Sequence, residues 1–415
     1  MNKIIKDIFL YNGILILCVV LSVALFSNKS TQGANWTFPY FSGAANFEKL
    51  FDWKISPSDF ENVKKLEKSS KLKNYIDYKH KRTSDLVLNT VNNYGYVLVA
   101  LASQNIFPSL GDLRGVIYFQ LTVHIIISLF IINFVLSTPL KKLFFILFYV
   151  ANPLVIHFTT FPFYYFWMFV PSFFIAVLIL KEKWRDWWVY FAIPILLFSL
   201  LIRPTTLFLM IIFFVIAFFF AKSNRLKISV VFVFCLFIAG ASSVLSLFTS
   251  APWHTMYVGI GAYSNEFGVA KLKDSEGYKY FYQKKNIVIN TDPINGNYND
   301  PIVMQEYTST LKSRYFEILM EKPLMLLRNA FVNTLQVFSI GHIVDRPLLN
   351  WINTLFGFLM FTFLMYARQY VWILVILASA GTFCLYFPPI PAYNFAAYLL
   401  LVFAFISALD RLNGH

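Results

Sequence analysis

The chain has 415 residues, of which 58% are hydrophobic and only 13% charged, with a mean hydropathy of +0.60 and a net charge of +14. That balance excludes a soluble globular protein of this length and indicates an all-α polytopic membrane protein. The positive charge is no nucleic-acid signature, because it sits in short loops beside apolar runs and in one polar segment. Cys18, Cys235 and Cys384 all fall inside apolar runs, so the polar segments are expected to hold no disulfide.

About ten apolar stretches are long enough to cross a bilayer with a hydrocarbon core of ~30 Å. Residues 1–26 give a cytoplasmic N-terminus and a first span near Ile8–Phe26, retained as an anchor because no small-residue cleavage site follows. Residues 27–112 form a first external loop. Its Lys-rich part, Lys64–Lys81, reads as a solvated helical face, and Tyr94–Phe107 as a helix lying along the membrane surface. Residues 113–249 are the membrane body with spans two to seven. These are expected near Leu113–Leu136, Leu143–His157, Phe163–Leu180, Trp188–Ile202, Thr205–Phe220 and Ile228–Phe248. Residues 250–347 are a second external segment, with another interfacial helix at Pro323–Ile340. Residues 348–415 carry spans eight to ten, near Leu348–Ala367, Tyr370–Phe387 and Tyr393–Ala408, and a cytoplasmic C-terminus.

Short basic loops fix the orientation. Lys3 and Lys6, Lys141 and Lys142, Lys181, Lys183 and Arg185, Lys222, Arg225 and Lys227, then Arg368 and Arg411 all fall on one side. Both termini share that side, and the two long segments face the opposite one. The weight of Phe, Lys, Asn and Tyr points to an AT-rich bacterial genome, so the inner membrane is the expected location. No internal repeat marks a transporter built from two related halves.

Candidate chemistry lies at the edges of the polar segments. Asp59 in SPSDF and Asp85 in KRTSD place acids beside aromatics and the cation Arg82. Either acid suits a general base toward a hydroxyl, and either also suits a helix N-cap. The second segment opens PWHTMYVGIGAYSNEFG. There Trp253, Tyr257, Tyr263 and Asn265 can stack on or hydrogen-bond a sugar, with Tyr94 as a counterpart in the first loop. His254 lies beside Trp253 where a polar head group would sit, and Asp274 follows as a third candidate acid. Arg203 stands between two apolar runs with no acid nearby in sequence. It either snorkels to the interface or binds an anion such as phosphate. No spacing of metal ligands and no nucleophilic serine motif is present, so no cofactor is expected, and metal dependence stays open.

The order of elements resembles the GT-C class of integral-membrane glycosyltransferases, which includes protein O-mannosyltransferases and the enzymes that add aminoarabinose to lipid A. The local echoes are FDWKISP, NNYGYVLV, ANPLVIHFTTFPFYY and LLIRPTT. The resemblance implies a polyprenyl-phosphate-linked sugar donor and an external glycan, lipid or protein acceptor. It also implies an acid of the first loop as base. No carboxylate stands near Trp36, where the class places that acid, so the role passes to Asp85, Asp59 or Asp274. The phosphate would be held by Arg203, Arg82 and His254. Two other functions compete: a polysaccharide polymerase or ligase using lipid-pyrophosphate donors, and a lipid or glycan flippase. The scattered placing of Arg82, Arg314, Arg328 and Arg346 disfavours the first, and the nearly charge-free spans disfavour the second.

Overall fold

The computed structural model describes residues 3–27, 94–110, 112–181, 185–221, 223–245, 252–285, 301–381 and 383–413. Among these the chain is helical throughout, with no strand. Among the described residues four helices are long and apolar enough to cross a membrane: Asp7–Phe26, Arg114–Val135, Pro347–Tyr366 and Pro391–Leu412. A bent pair adds a fifth if it counts as one span. The chain divides into two compact units, Met1–Phe248 with Val402–His415, and Thr249–Leu401.

The first unit begins with α1 (Lys3–Phe26), α2 (Tyr94–Ile106) and α3 (Asp112–Phe130), which a π turn extends through Ile131–Val135. Then come α4 (Pro139–Phe145), extended by a second π turn at Ile146–Val150, and α5 (Pro153–Thr159). They are followed by α6 (Phe169–Leu180), α7 (Arg185–Ile202), α8 (Leu207–Phe220) and α9 (Asn224–Leu245). The expected third span, Leu143–His157, is corrected to two helices that meet at 58°. The cause is local: Asn152 caps α5 by accepting from the Leu154 amide at 2.9 Å, and Pro153 has no N–H to continue α4. Gln120 braces the turn that follows. Its Nε2 donates to the carbonyls of Thr159 and Phe161, both at 2.9 Å, and its Oε1 accepts from Trp167 Nε1 at 3.2 Å. Irregular backbone in an apolar body survives only when its polar groups are met in this way.

The second unit holds α10 (Pro252–Gly259), α11 (Asp274–Lys285), α12 (Pro301–Glu321), α13 (Pro323–Val337), α14 (Pro347–Tyr366) and α15 (Tyr370–Ala380), together with the first turns of α16 (Pro391–Asn413). The expected ninth span, Tyr370–Phe387, ends as a helix at Ala380, ahead of the helix-breaking Pro388 and Pro389. α13 is built inside out. Leu324, Leu327 and Phe331 stand 77, 65 and 62% exposed, while Asn333 and Gln336 are 2 and 0% exposed. A water-facing helix has the reverse pattern, so the outer face of α13 is suited to lipid and its amides turn toward the protein. α14 packs closely on it at Gly357, where a Cβ would stand 2.0 Å from the Leu335 carbonyl oxygen.

Candidate functional site

The site grows from the short connection between α13 and α14. Gly341 turns the chain there with φ +95°, in the left-handed region that favours glycine. The next amide, of His342, donates to the Pro389 carbonyl at 2.9 Å. Three asparagines then fix the loop. Asn353 Nδ2 donates to the Gly341 carbonyl at 2.8 Å, and Asn394 Nδ2 to the Ser339 carbonyl at 2.9 Å. Asn350 accepts from the Ile343 amide at 2.7 Å and donates to the Ile343 carbonyl at 2.8 Å. Held at this base, the loop presents Asp345 and Arg346 outward. Asp345 itself has φ +58°, an uncommon backbone conformation for a residue with a side chain.

A two-lobed cleft opens beside this loop. One lobe, of about 320 Å³, is polar and is lined by Ser264, Asn265, Asp345 and Arg346. The other, of about 470 Å³, is more apolar, with Val332, Pro347 and Trp351 in its wall beside Arg328 and Gln336. Tyr263, His342 and Asn350 border both lobes. The Tyr263 hydroxyl donates to Asn333 Oδ1 at 2.6 Å, and Gln336 Nε2 donates to Thr354 Oγ1 at 3.0 Å, so a ladder of amides backs the cleft. Burial raises the Tyr263 phenol and keeps it a proton donor. Burial also lowers His342 to about 4, so its ring is neutral at pH 7. Asn350 Nδ2 faces His342 Nε2 at 3.3 Å. The amide nitrogen can only donate, so Nε2 accepts and the ring proton sits on Nδ1. Among the described residues that Nδ1 has no hydrogen-bond partner.

A second cluster in the same unit is closed. His254 Nε2 donates to Asp274 Oδ1 at 3.2 Å, and His254 Nδ1 hydrogen-bonds the buried Tyr307 hydroxyl. The hydrogen bond from His254 holds Asp274 below the usual aspartate value, although its side chain is 81% exposed. Tyr278 packs its ring on both His254 and Tyr307 and is raised to about 12, chiefly by burial. Gly277 closes the cluster, since a Cβ there would meet Tyr307 Oη at 2.7 Å and His254 Nδ1 at 2.9 Å.

The candidates read from sequence are thus distributed as follows. Tyr263 and Asn265 line the cleft. His254 and Asp274 come together in the closed cluster. Trp253 packs against Phe316 at 5.4 Å with Lys312 over its ring at 5.5 Å, and Tyr257 is buried against Tyr280 at 5.3 Å. Arg203, in the first unit, lays its guanidinium over the Tyr164 ring at 4.7 Å. Tyr94 starts α2. Asp59, Arg82 and Asp85 lie outside the described residues. Sequence reasoning passed over His342, Asp345 and Asn350, and counted Arg328 and Arg346 only as scattered cations. Comparison with family models, with curated proteins and with solved structures finds no match to this chain.

Proposed function

We propose that the protein is a membrane glycosyltransferase of ten spans, arranged as in the GT-C class, with both termini cytoplasmic and both long segments external. It moves a sugar from a polyprenyl-phosphate donor to a hydroxyl of an external glycan, lipid or protein. The observation that carries this reading is the inside-out helix α13. It turns an apolar face outward and an amide face inward onto a cleft whose lobes are one polar and one apolar. Such a wall matches a ligand with a hydrophilic head on a lipid tail, and amides with a tyrosine hydroxyl are the groups that read sugar hydroxyls.

The reaction needs three parts. Asp345, in the polar lobe, takes the proton of the acceptor hydroxyl, and that oxygen attacks the anomeric carbon. The bond from that carbon to the phosphate oxygen breaks, and polyprenyl phosphate departs with the bonding pair. Arg328 and Arg346 offset its charge. The test is transfer from a labelled polyprenyl-phosphate sugar by the purified protein in liposomes. Asp345→Asn should lower turnover by about 10²-fold or more while donor binding persists. Should Asp345→Asn turn over normally and Asp85→Asn or Asp59→Asn be dead, the base belongs to the first external loop.

One observation favours the flippase reading. α4 and α5 form a broken helix, and beside it His124 hydrogen-bonds the Val150 carbonyl while Nε2 of the same buried ring has no partner among the described residues. Broken helices and buried ionisable groups are features of transport paths. Movement of the labelled lipid across the vesicle membrane without any glycosyl product would establish that reading over the enzyme.

A further inference from the structure

The first unit carries an apolar groove of its own. Between α8 and α9 runs a groove of about 240 Å³, lined only by apolar side chains, among them Phe214, Phe218, Val230, Val231 and Phe234. Phe214 and Phe234 meet across it with ring centroids 5.5 Å apart. At one end stands Lys227, whose ammonium lies 5.8 Å from the centre of the Phe218 ring. Lys227 shares a helix face with Val231, one turn along, so the cation sits where the apolar wall ends. Arg225 is exposed two residues earlier, on the other side of the helix. No carboxylate pairs with Arg225 or Lys227 among the described residues.

We propose that this groove binds an anionic phospholipid, with one acyl chain along the Phe and Val wall and the phosphate at Lys227. A dry groove alone would take any lipid chain. The Lys227 ammonium at its end, with no acid partner among the described residues, supplies the charge complementarity that selects a negative head group, and basic pockets between membrane helices are a recurring setting for such lipids. The ammonium acts on the phosphate as a point charge with three donors.

The experiment is native mass spectrometry of the delipidated full chain, titrated with phosphatidylglycerol and with phosphatidylcholine of the same chains. The wild type should hold phosphatidylglycerol preferentially. Lys227→Gln should reduce that preference about fivefold and leave phosphatidylcholine binding unchanged, whereas Arg225→Gln, on the other side of the helix, should change neither. Both positions face outward or are half-buried, so these changes should spare the fold, which circular dichroism checks. Filling the groove by Val231→Trp should weaken both lipids. Inorganic phosphate should not displace the bound lipid. Equal binding of the two lipids by the wild type, or full preference in Lys227→Gln, would overturn the proposal. Displacement by inorganic phosphate would overturn its acyl-chain half.

Discussion

Two histidines of the second unit sit in opposite surroundings. His254 spends both ring nitrogens, one on Asp274 and one on Tyr307, and a tyrosine ring and Gly277 cover it. His342 spends one nitrogen on Asn350, and its other nitrogen has no partner among the described residues. The first set of groups ties α10, α11 and α12 together and leaves neither ring nitrogen of His254 without a partner. The second borders both lobes of the cleft. A saturated polar cluster stabilises a fold, whereas polar groups with spare hydrogen-bonding capacity beside a cavity are what a ligand can satisfy. The comparison therefore moves interest within this unit from His254, one of the phosphate-binding candidates read from sequence, to His342.

The largest expected effect comes from the backbone beneath the cleft. Gly341→Ala forces a side chain into the left-handed region and within 2.0 Å of the Pro389 carbonyl oxygen. It should destabilise the protein by about 2–4 kcal/mol, seen as a lower midpoint of thermal unfolding. An unchanged midpoint would mean that the loop is not held as described.

The next effect separates the two histidines by pH. The folded value of His342, about 4, lies below its ordinary 6.5. As pH falls from 6.5 toward 4, the unfolded chain takes up a proton that the folded one refuses, so stability is lost across that window. The shift corresponds to about 3 kcal/mol at full extent. His342→Asn should flatten the profile between those limits, and a slope that persists would locate the effect elsewhere. Asp274 acts lower. Its folded value is depressed, so its contribution is present above 3.8 and fades as pH falls below that value.

Smaller effects belong to the closed cluster. Gly277→Ala meets only the ends of the Tyr307 and His254 side chains, which can shift, and should cost about 1 kcal/mol. Asp274→Asn should change stability by well under that, because the carboxylate is largely exposed to solvent, and should leave sugar transfer intact. Loss of transfer in Asp274→Asn without unfolding would return the closed cluster to the centre of the mechanism.

Much of the helical layout was legible in the sequence, because apolar runs and proline positions are local signals. Asn152 and Pro153 announced the break between α4 and α5, yet hydropathy averaged over the run hid it. The amphipathic period of α13 was legible as well. Which face turns inward was not, since Asn333 and Gln336 are buried only through partners on Tyr263 and Thr354, distant in sequence. His254 and Asp274 were singled out for separate roles, and only the packing of α10 on α11 joins them. Asp345 was passed over, and Arg346 counted only as a scattered cation, because their prominence comes from the turn at Gly341 and from the amides of Asn350, Asn353 and Asn394. A single-sequence pattern carries none of those long-range contacts.

The central claim is that the cleft around His342 takes the polar head of a lipid-linked sugar. Photocrosslinking with a polyprenyl phosphate that carries a diazirine on its first isoprene unit tests it most directly. Peptide mapping should place the adduct on α13 and the start of α14, near Val332 and Trp351, and Arg328→Ala should reduce it several-fold. Adducts confined to the first unit, near Arg203, with none on α13 or α14, would contradict the account.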